Sequence, residues 1–319
     1  MWFLFAACAA LCFGVRGILY QWTSQRPVDR NLLFVGVYLS GALISILLNI
    51  QAAQPWNNGV IFGVCMGLFS FAANASLYKG YEIGRASVVA FFSGLTPIVV
   101  VLAAYLLWRE TLGSMQLLGF CIVVVALIIV RYRSDLQSGQ LLGWQWGLLA
   151  MLLYAFTDLS SKQSVLSGGS LLPVLTMMFA TGTLLFGLMY TVDRVRKLSM
   201  HAARESVHPA SDGSSVENEE SAEALSVEPS ISSTTPAVWS VRRTLLWGIT
   251  VGLTNIVGMV LMLRAYEDGI TGIVSAIAAL NVVIVLLYAR FYLKDVMSRQ
   301  ETLGILLALA GILVLRLAS

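Results

Sequence analysis

The chain has 319 residues, of which 58% are hydrophobic and only 12% are charged, and its mean hydropathy is +0.80. A soluble protein carries about twice that fraction of charged residues, so the composition excludes a soluble fold and predicts a polytopic membrane protein. The net charge of +3 is small, and no basic patch with interleaved aromatic residues indicates a nucleic-acid partner.

Ten apolar segments are long enough to cross a hydrocarbon core of about 30 Å as helices. Strands are disfavoured because the segments do not alternate with period two, and because only helices or closed barrels satisfy their backbone groups in lipid. The sequence therefore predicts an all-α polytopic membrane protein with ten transmembrane helices. In chain order these are residues 2–20, 31–50, 59–78, 85–108, 112–130, 142–162, 171–192, 244–265, 270–293 and 300–317.

Residues 193–243 form the longest predicted connection and differ from the rest in composition. They are rich in Ser, Glu and Pro, and the part from 205 to 237 carries seven acidic residues and no Lys or Arg. Such a segment cannot bury enough apolar surface to offset its ordering entropy. We therefore expect residues 193–243 to be a disordered acidic loop between basic flanks.

Residues 63–131 recur at residues 248–316, because adding 185 to each number superimposes the two stretches without a gap. Glycines and charged pairs are the informative matches, since apolar residues match by chance in such a sequence. They are Gly63 and Gly67 with Gly248 and Gly252, Tyr81 and Glu82 with Tyr266 and Glu267, Arg109 and Glu110 with Lys294 and Asp295, Gly119 with Gly304, and Arg131 with Arg316. The sequence therefore predicts an internal duplication.

Five helices per copy is an odd number, so the second copy is expected to enter the membrane from the opposite side. The first repeat is predicted to comprise residues 1–131, and the second residues 142–192 with 244–317. Secondary transporters use such inverted repeats and bind their substrate near the midplane between them. Inversion also gives two arrangements of similar energy, one open to each side of the membrane.

The chain resembles the EamA-type drug/metabolite transporters along nearly its whole length, apart from the acidic loop. The signature residues of the first copy are Pro97, Glu110, Gln116 and Gly119, and those of the second are Asp295, Glu301 and Gly304, with Val282 where a proline is common. Phe13-Gly14 and Tyr154-Ala155-Phe156, with Lys162 behind it, resemble the openings of the two copies. The resemblance implies ten helices in two inverted halves that export or exchange a small metabolite.

Ionisable groups inside a membrane are candidates for function, because they are costly unless paired or hydrated. Arg16 and Asp158 stand within the first and sixth predicted helices. Chain direction predicts two gates, Arg16 with Glu82 on one side and Asp158 with Arg264 on the other. The structural alternative is that Arg16 extends toward the headgroups and that Asp158 meets Lys162 one turn away.

Small polar residues within the helices are the candidates for substrate contact. Thr96 and Asn281 are equivalent in the duplication, and Pro97 loosens the helix beside Thr96. Thr96 could instead bond back to its own helix, while Asn74 and Asn255 could line a cavity or join helices. Tyr154 and Thr157 complete the set of cavity candidates. The two GxxxG motifs are interpreted as close helix packing.

No metal or cofactor is expected. Cys8 and Cys12 share a helix face but have no further ligand beside them, and the two histidines, His201 and His208, lie outside the apolar segments. An intramembrane enzyme would need a cluster of catalytic groups at one depth, and none is evident.

The leading prediction is an integral protein of a bacterial cytoplasmic membrane that exports or exchanges a small, amino-acid-like metabolite. Its partners are a small-molecule substrate and the lipid bilayer, and a homodimer is compatible with the sequence. A multidrug or cation exporter and a non-transporting scaffold are the alternatives. The excess of Lys and Arg in odd-numbered loops puts the acidic loop in the cytoplasm, whereas the resemblance implies the reverse orientation, and both stay open.

Overall fold

The computed structural model describes residues 1–24, 26–83, 86–131, 142–207, 239–292 and 298–318, and no strand occurs in these ranges. The first predicted repeat contains helices α1 (Trp2–Ser24), α2 (Arg30–Ala52), α3 (Ile61–Ile83), α4 (Ala86–Ser93), α5 (Thr96–Trp108) and α6 (Ser114–Arg131). The second contains α7 (Trp144–Leu166), α8 (Leu171–Val207), α9 (Val241–Asp268), α10 (Thr271–Ala279), α11 (Asn281–Phe291) and α12 (Arg299–Leu317).

Helix α8 differs most from its predicted bounds, because it continues to Val207 instead of ending at Val192. Residues 193–207 contain neither Gly nor Pro and include three Arg, two Ala and one each of Lys, Leu and Met, which favour a helix. The prediction of disorder from residue 193 onward is therefore wrong for this stretch. Residues 208–238, the rest of the predicted acidic loop, lie outside the described residues.

Two predicted helices are each divided in two, at Leu95 and at Leu280. At both places the leucine amide bonds to the carbonyl three residues back, at 3.0 and 3.1 Å, where a continuous α-helix would bond four back. The two leucines are equivalent in the duplication, so Thr96 and Asn281 each begin a new helix. Pro97, which lacks an amide hydrogen, lies just after the first break, but the second break forms without a proline.

The outer surface of the bundle is apolar. Large exposed side chains recur at helical spacing on it, among them Leu43 and Leu47, Leu102 and Leu106, Leu184 and Leu188, and Leu306, Leu309 and Leu313. Eight stretches of the described residues are long and apolar enough to cross a membrane, and residues Ser114–Val130 are apolar but shorter. Such a surface is typical of a protein solvated by lipid.

The glycines of the two GxxxG motifs lie at close helix contacts. A side chain at Gly67 would meet the Met178 carbonyl oxygen of α8 at 2.5 Å, and one at Gly248 would meet the Gly36 Cα of α2 at 2.9 Å. Gly63 and Gly252 lie equally close to the same two partner helices. The motifs therefore hold α3 against α8 and α9 against α2, as expected of small residues in membrane helices.

The bundle has two ends, named here after one residue each. The Glu110 end contains residues 53–60, 109–113, 167–170 and 269–270. The Trp239 end contains residues 26–29 and 239–240, and Trp22 and Trp247 pack there with their ring centroids 4.6 Å apart.

Candidate central binding cavity

A cavity of about 290 Å³ lies between the two halves of the bundle, and both helix breaks form part of its wall. Five of the ten candidate residues named from the sequence line it: Arg16, Thr96, Tyr154, Asp158 and Asn281. They come from α1, α5, α7 and α11, two helices from each half. The structure thus brings together polar groups that lie up to 265 positions apart in the chain, from residue 16 to residue 281.

Arg16 enters the cavity wall from α1. Its guanidinium donates a hydrogen bond to the side-chain oxygen of Asn255 on α9 and stacks above the Phe13 ring, 4.5 Å from the centroid. None of the carboxylates in the described ranges lies within ion-pair distance of it. The arginine is therefore held in place by neutral groups only.

Asp158 enters the wall from α7 and is likewise held by neutral groups. One carboxylate oxygen accepts a hydrogen bond of 2.6 Å from the Ser275 hydroxyl of α10. The Tyr266 hydroxyl is buried close to the same carboxylate, but its geometry falls outside normal hydrogen-bond limits. The described residues provide Asp158 with no cationic partner.

Tyr154 is positioned by a chain of buried polar side chains. Its hydroxyl donates to the side-chain oxygen of Asn74 at 3.0 Å, and the Asn74 amide in turn donates to the Ser70 carbonyl at 2.7 Å. The Tyr38 hydroxyl and the Ser70 side chain lie 2.6 Å apart and extend the chain to α2. Asn74 and Asn255 therefore join helices and orient cavity residues, and neither of them lines the cavity.

Thr96 and Asn281 occupy equivalent positions on the wall but differ in their bonding. The Thr96 hydroxyl donates to the Ser93 carbonyl at 2.8 Å, which is the local alternative to substrate contact. The Asn281 side chain makes no hydrogen bond within the described part of the chain, although it faces the cavity. The amide of Asn281 is thus available to a bound molecule.

The two predicted gates are not formed in this structure. Glu82 is exposed and pairs with Lys79 at 3.1 Å, while Arg264 is exposed and pairs with Glu267 at 2.9 Å. Each of these pairs lies within one helix, three residues apart, and so joins no two helices. Thr157 is also absent from the cavity wall, because it is buried and its hydroxyl bonds back to the Leu153 carbonyl at 3.0 Å.

A buried ion pair that the sequence did not reveal closes the Glu110 end. Lys162 has only 6% of its surface exposed, and its ammonium group lies 3.5 Å from the Glu110 carboxylate. The same ammonium donates to the Tyr266 and Gly269 carbonyls, at 2.8 and 3.0 Å, at the end of α9. Lys162 thus complements the negative end of that helix dipole and does not pair with Asp158.

Glu110 caps the N-terminus of α10, as Lys162 caps the C-terminus of α9. It accepts hydrogen bonds from the Thr271 amide at 2.8 Å and the Thr271 hydroxyl at 3.0 Å, which is the arrangement of an acidic cap at a helix N-terminus. Arg109, in the left-handed conformation with φ of 58°, ends α5 and turns the chain so that Glu110 reaches this cap. We call Glu110, Lys162 and Thr271 the latch.

The latch makes the two ends of the cavity unequal. Lys162 follows Asp158 by one helical turn, or about 6 Å along α7, so the sealed latch begins just beyond the cavity wall. In the opposite direction the wall includes Tyr81, which is 37% exposed and stands two residues before the end of α3. The cavity therefore extends toward the Trp239 end and is closed at the Glu110 end.

A larger cavity of about 600 Å³ lies at the Trp239 end beside α2, α3 and α8. Its charged and polar groups are already engaged with one another: Lys79 pairs with Glu82, and the Asn31 amide donates to Asp193 at 2.7 Å. It also lacks lining from the broken helices. The smaller central cavity is therefore the better candidate for a specific site.

Comparison with known proteins gives a family and a fold. The model of the EamA-like transporter family matches residues 1–132 and 225–317. A solved structure titled only "Crystal structure of protein" is 14% identical and superimposes with a TM-score of 0.69, over 99% of this chain and 97% of that one. No curated protein sequence matches.

Proposed function

Because the chain belongs to the EamA-like transporter family, a family of transporters and not of enzymes, and is an integral multi-pass membrane protein, we propose that it exports or exchanges a small, amino-acid-like metabolite by alternating access. The observation that carries this proposal is the central cavity. Its wall combines both halves of the bundle, and it is closed at one end and not at the other.

The helix packing supports ten membrane spans in two inverted repeats, with α4 and α5 as one span and α10 and α11 as another. Helix α3 packs on α7 and α8, and its equivalent α9 packs on α1 and α2. Helices α6 and α12, which are equivalent to each other, also pack together. Helix α3 runs from the Glu110 end to the Trp239 end and α9 runs the opposite way, as an inverted repeat requires.

The latch supports alternating access because it joins elements of both repeats. Glu110 follows α5 of the first, whereas Lys162 and Thr271 belong to the second. Opening the Glu110 end requires these contacts to separate, while the helix breaks at Leu95 and Leu280 provide places where the half-helices can reorient.

We place the Trp239 end in the cytoplasm of a bacterial cell. Its described basic residues outnumber those at the other end and include Arg26, Arg30, Lys79, Arg194, Arg196, Arg242, Arg243, Arg290 and Arg299. This bias agrees with the positive-inside rule. The structure then corresponds to an inward-open state, in which an exporter loads its substrate.

A cation exporter is the second candidate, and Asp158 is the observation that favours it. A carboxylate without an ion-pair partner in a central cavity would bind an ammonium ion. Arg16 in the same wall opposes a cation, so an amino-acid-like substrate with both charges remains the first choice.

Cysteine accessibility tests alternating access without knowledge of the substrate. Cys8, Cys12, Cys65 and Cys121 are first replaced by serine, and Ala279→Cys then places one thiol in the cavity wall. A membrane-impermeant maleimide should label it rapidly from the Trp239 side and more slowly from the Glu110 side, and Lys162→Ala, which breaks the latch, should speed labelling from the Glu110 side. Trp56 lies at the Glu110 end and is 60% exposed. Trp56→Cys is therefore the labelling control for that side. If Ala279→Cys stays closed to the Glu110 side in the latch variant while Trp56→Cys is labelled, the proposal fails.

A further inference from the structure

We propose that the larger cavity at the Trp239 end binds the headgroup of a phospholipid with a primary ammonium group, such as phosphatidylethanolamine. In the bound state Arg30 and Ser76 bind the phosphate, and Asp193 binds the ammonium group. The inference assigns a second site, separate from the central cavity, and does not depend on the proposed transport function. The volume of about 600 Å³ falls within the range of ligand-binding cavities, roughly 300–1,000 Å³.

The first argument is the depth of this cavity in the membrane. Its wall includes Arg30, the first residue of α2, Trp146 in the first turn of α7, and Tyr78 in the last two turns of α3. These three helices begin or end at the Trp239 end, so the cavity lies where the apolar core of the bilayer meets its headgroups. Tyrosine and tryptophan are typical of that level of a membrane protein.

The second argument is that the cavity borders the lipid-facing surface of the bundle. Met189 of α8 lines the wall and is itself 38% exposed, and the exposed apolar side chains of Leu188 and Val192 lie near it on the same helix. Phe186, about one turn deeper along α8, adds an apolar floor. A lipid with its headgroup in the cavity can therefore lay its acyl chains along α8.

The third argument is an arginine without a counterion. The Arg30 guanidinium lies over the Tyr78 ring, 5.2 Å from its centroid, and no carboxylate in the described ranges is within ion-pair distance of it. Lys79 in the same wall differs, because it pairs with Glu82 at 3.1 Å. The guanidinium presents its N–H donors as a planar fork, which binds a phosphate through two parallel hydrogen bonds.

The fourth argument is a buried hydroxyl without a partner. Ser76 lines the cavity with only 6% of its surface exposed, and its hydroxyl makes no hydrogen bond within the part of the chain that the structure describes. The buried Ser45 and Ser161 instead bond back to carbonyls of their own helices, at 2.8 and 2.9 Å. Buried polar groups are almost always hydrogen-bonded. A ligand oxygen in the cavity provides the missing partner of Ser76.

The fifth argument is a carboxylate placed beside Arg30. Asp193 of α8 accepts a hydrogen bond of 2.7 Å from the Asn31 amide, and Asn31 follows Arg30 directly in the chain. The described residues give Asp193 no cationic partner, whereas Asp29 in the same wall caps α2 through the Leu32 amide at 3.2 Å. After one hydrogen bond a carboxylate still accepts others, and an ammonium group supplies both donors and charge. The wall thus offers neighbouring positions for a phosphate and an ammonium group.

Three phospholipids with identical oleoyl chains test the proposal. Phosphatidylethanolamine carries the primary ammonium group, phosphatidylcholine carries it fully methylated and without N–H donors, and phosphatidylglycerol lacks it. Binding to the purified, delipidated full-length protein in detergent is measured by native mass spectrometry. We expect phosphatidylethanolamine to bind about fivefold more tightly than either of the other two, or more. Equal or tighter binding of phosphatidylcholine or phosphatidylglycerol overturns the proposal.

Two variants assign the ends of the headgroup. Asp193→Asn should lower the affinity for phosphatidylethanolamine to that for phosphatidylcholine, without weakening the binding of the other two lipids. Arg30→Gln should weaken all three lipids about fivefold or more, because each of them has a phosphate. If Asp193→Asn weakens all three lipids equally, or if Arg30→Gln weakens none, the proposal is overturned. Misfolding cannot produce the selective loss expected of Asp193→Asn.

Arg26→Gln and Asp268→Asn are the matched controls and should bind all three lipids as the wild type does. The Arg26 guanidinium also lies over an aromatic ring at the Trp239 end, 4.8 Å from the Trp22 centroid, but it does not line the cavity. Asp268 is an exposed carboxylate at the end of α9, outside both cavities. If Arg26→Gln weakens binding as much as Arg30→Gln does, the basic end attracts phosphates in general and the proposed site is overturned.

Glycerophosphoethanolamine, the same headgroup without acyl chains, separates a lipid from a soluble phosphate ester. It should bind about a hundredfold more weakly than the lipid, or weaker still, because it lacks the apolar chains that lie along α8. Comparable affinity of the two would make the ligand a soluble ester and overturn the proposed lipid. Failure of the cysteine-labelling experiment would overturn alternating access and leave these binding results unchanged, so the two proposals are tested separately.

Discussion

The two halves of the bundle divide a helix at the same place, Leu95 and Leu280, yet they place different groups around the two breaks. Aligning residue 13 with residue 155 puts Arg16 opposite Asp158, and Tyr20 opposite Lys162. Backbone plan and glycine packing are shared, whereas the charged side chains are not. The comparison teaches that the helix breaks common to both halves form the cavity, while the residues that differ place a positive charge in one part of its wall and a negative charge in another, and close one end with the latch.

The largest expected effect comes from removing Lys162, whose aligned position in the first half holds Tyr20. Lys162→Ala leaves the Glu110 carboxylate and two carbonyl groups without their donor in a buried site, which should lower the free energy of unfolding by about 3–5 kcal/mol. Unfolding in mixed SDS micelles measures the change.

Lys79→Ala is the control for that experiment, because Lys79 also pairs with a glutamate but is 50% exposed. Exposed pairs contribute about 1 kcal/mol or less. Similar losses from the two lysine variants would contradict the latch.

An intermediate effect is expected where the halves are alike. Gly63→Leu and Gly248→Leu each force a side chain into the backbone of a neighbouring helix, so each should cost about 1–3 kcal/mol of unfolding free energy. Both variants should show the same loss in the same SDS assay, since the two contacts are equivalent. Gly187→Leu, where no atom lies within 4 Å of the added Cβ, should show none.

The smallest effect tests whether the break depends on proline. The second half divides its helix at Leu280 with Val282 where the first has Pro97, so Pro97→Ala should keep the break and change the stability by less than about 1 kcal/mol. Labelling of Ala279→Cys from the Trp239 side should persist at the wild-type rate. Loss of that labelling would show that the proline holds the cavity wall in place.

The sequence predicted the packing glycines and five of the cavity residues, because a duplication marks equivalent positions without any knowledge of contacts. It could not predict the partners of charged residues, which depend on how helices rotate about their axes. Glu82 and Arg264 are instead exposed, each pairs with a residue of its own helix, and neither lines the cavity.

Two further features had only weak signals in the sequence. Lys162 in an apolar segment and Glu110 directly after another were both visible, but their contact depends on where α9 ends and α10 begins. The break at Leu280 had no proline to mark it. Its equivalence to Leu95 in the duplication was the one available indication.

The acidic cap that Glu110 provides on α10 has a consequence for the mode of transport. Moving Glu110 away would leave the Thr271 amide without its acceptor and Lys162 without its counterion, so the empty protein is biased toward its present shape. Each 1.4 kcal/mol of such bias corresponds to a tenfold preference. If the change of conformation is slower in the substrate-free carrier than in the loaded one, exchange is faster than net transport. We therefore expect one-for-one antiport to be faster than net efflux.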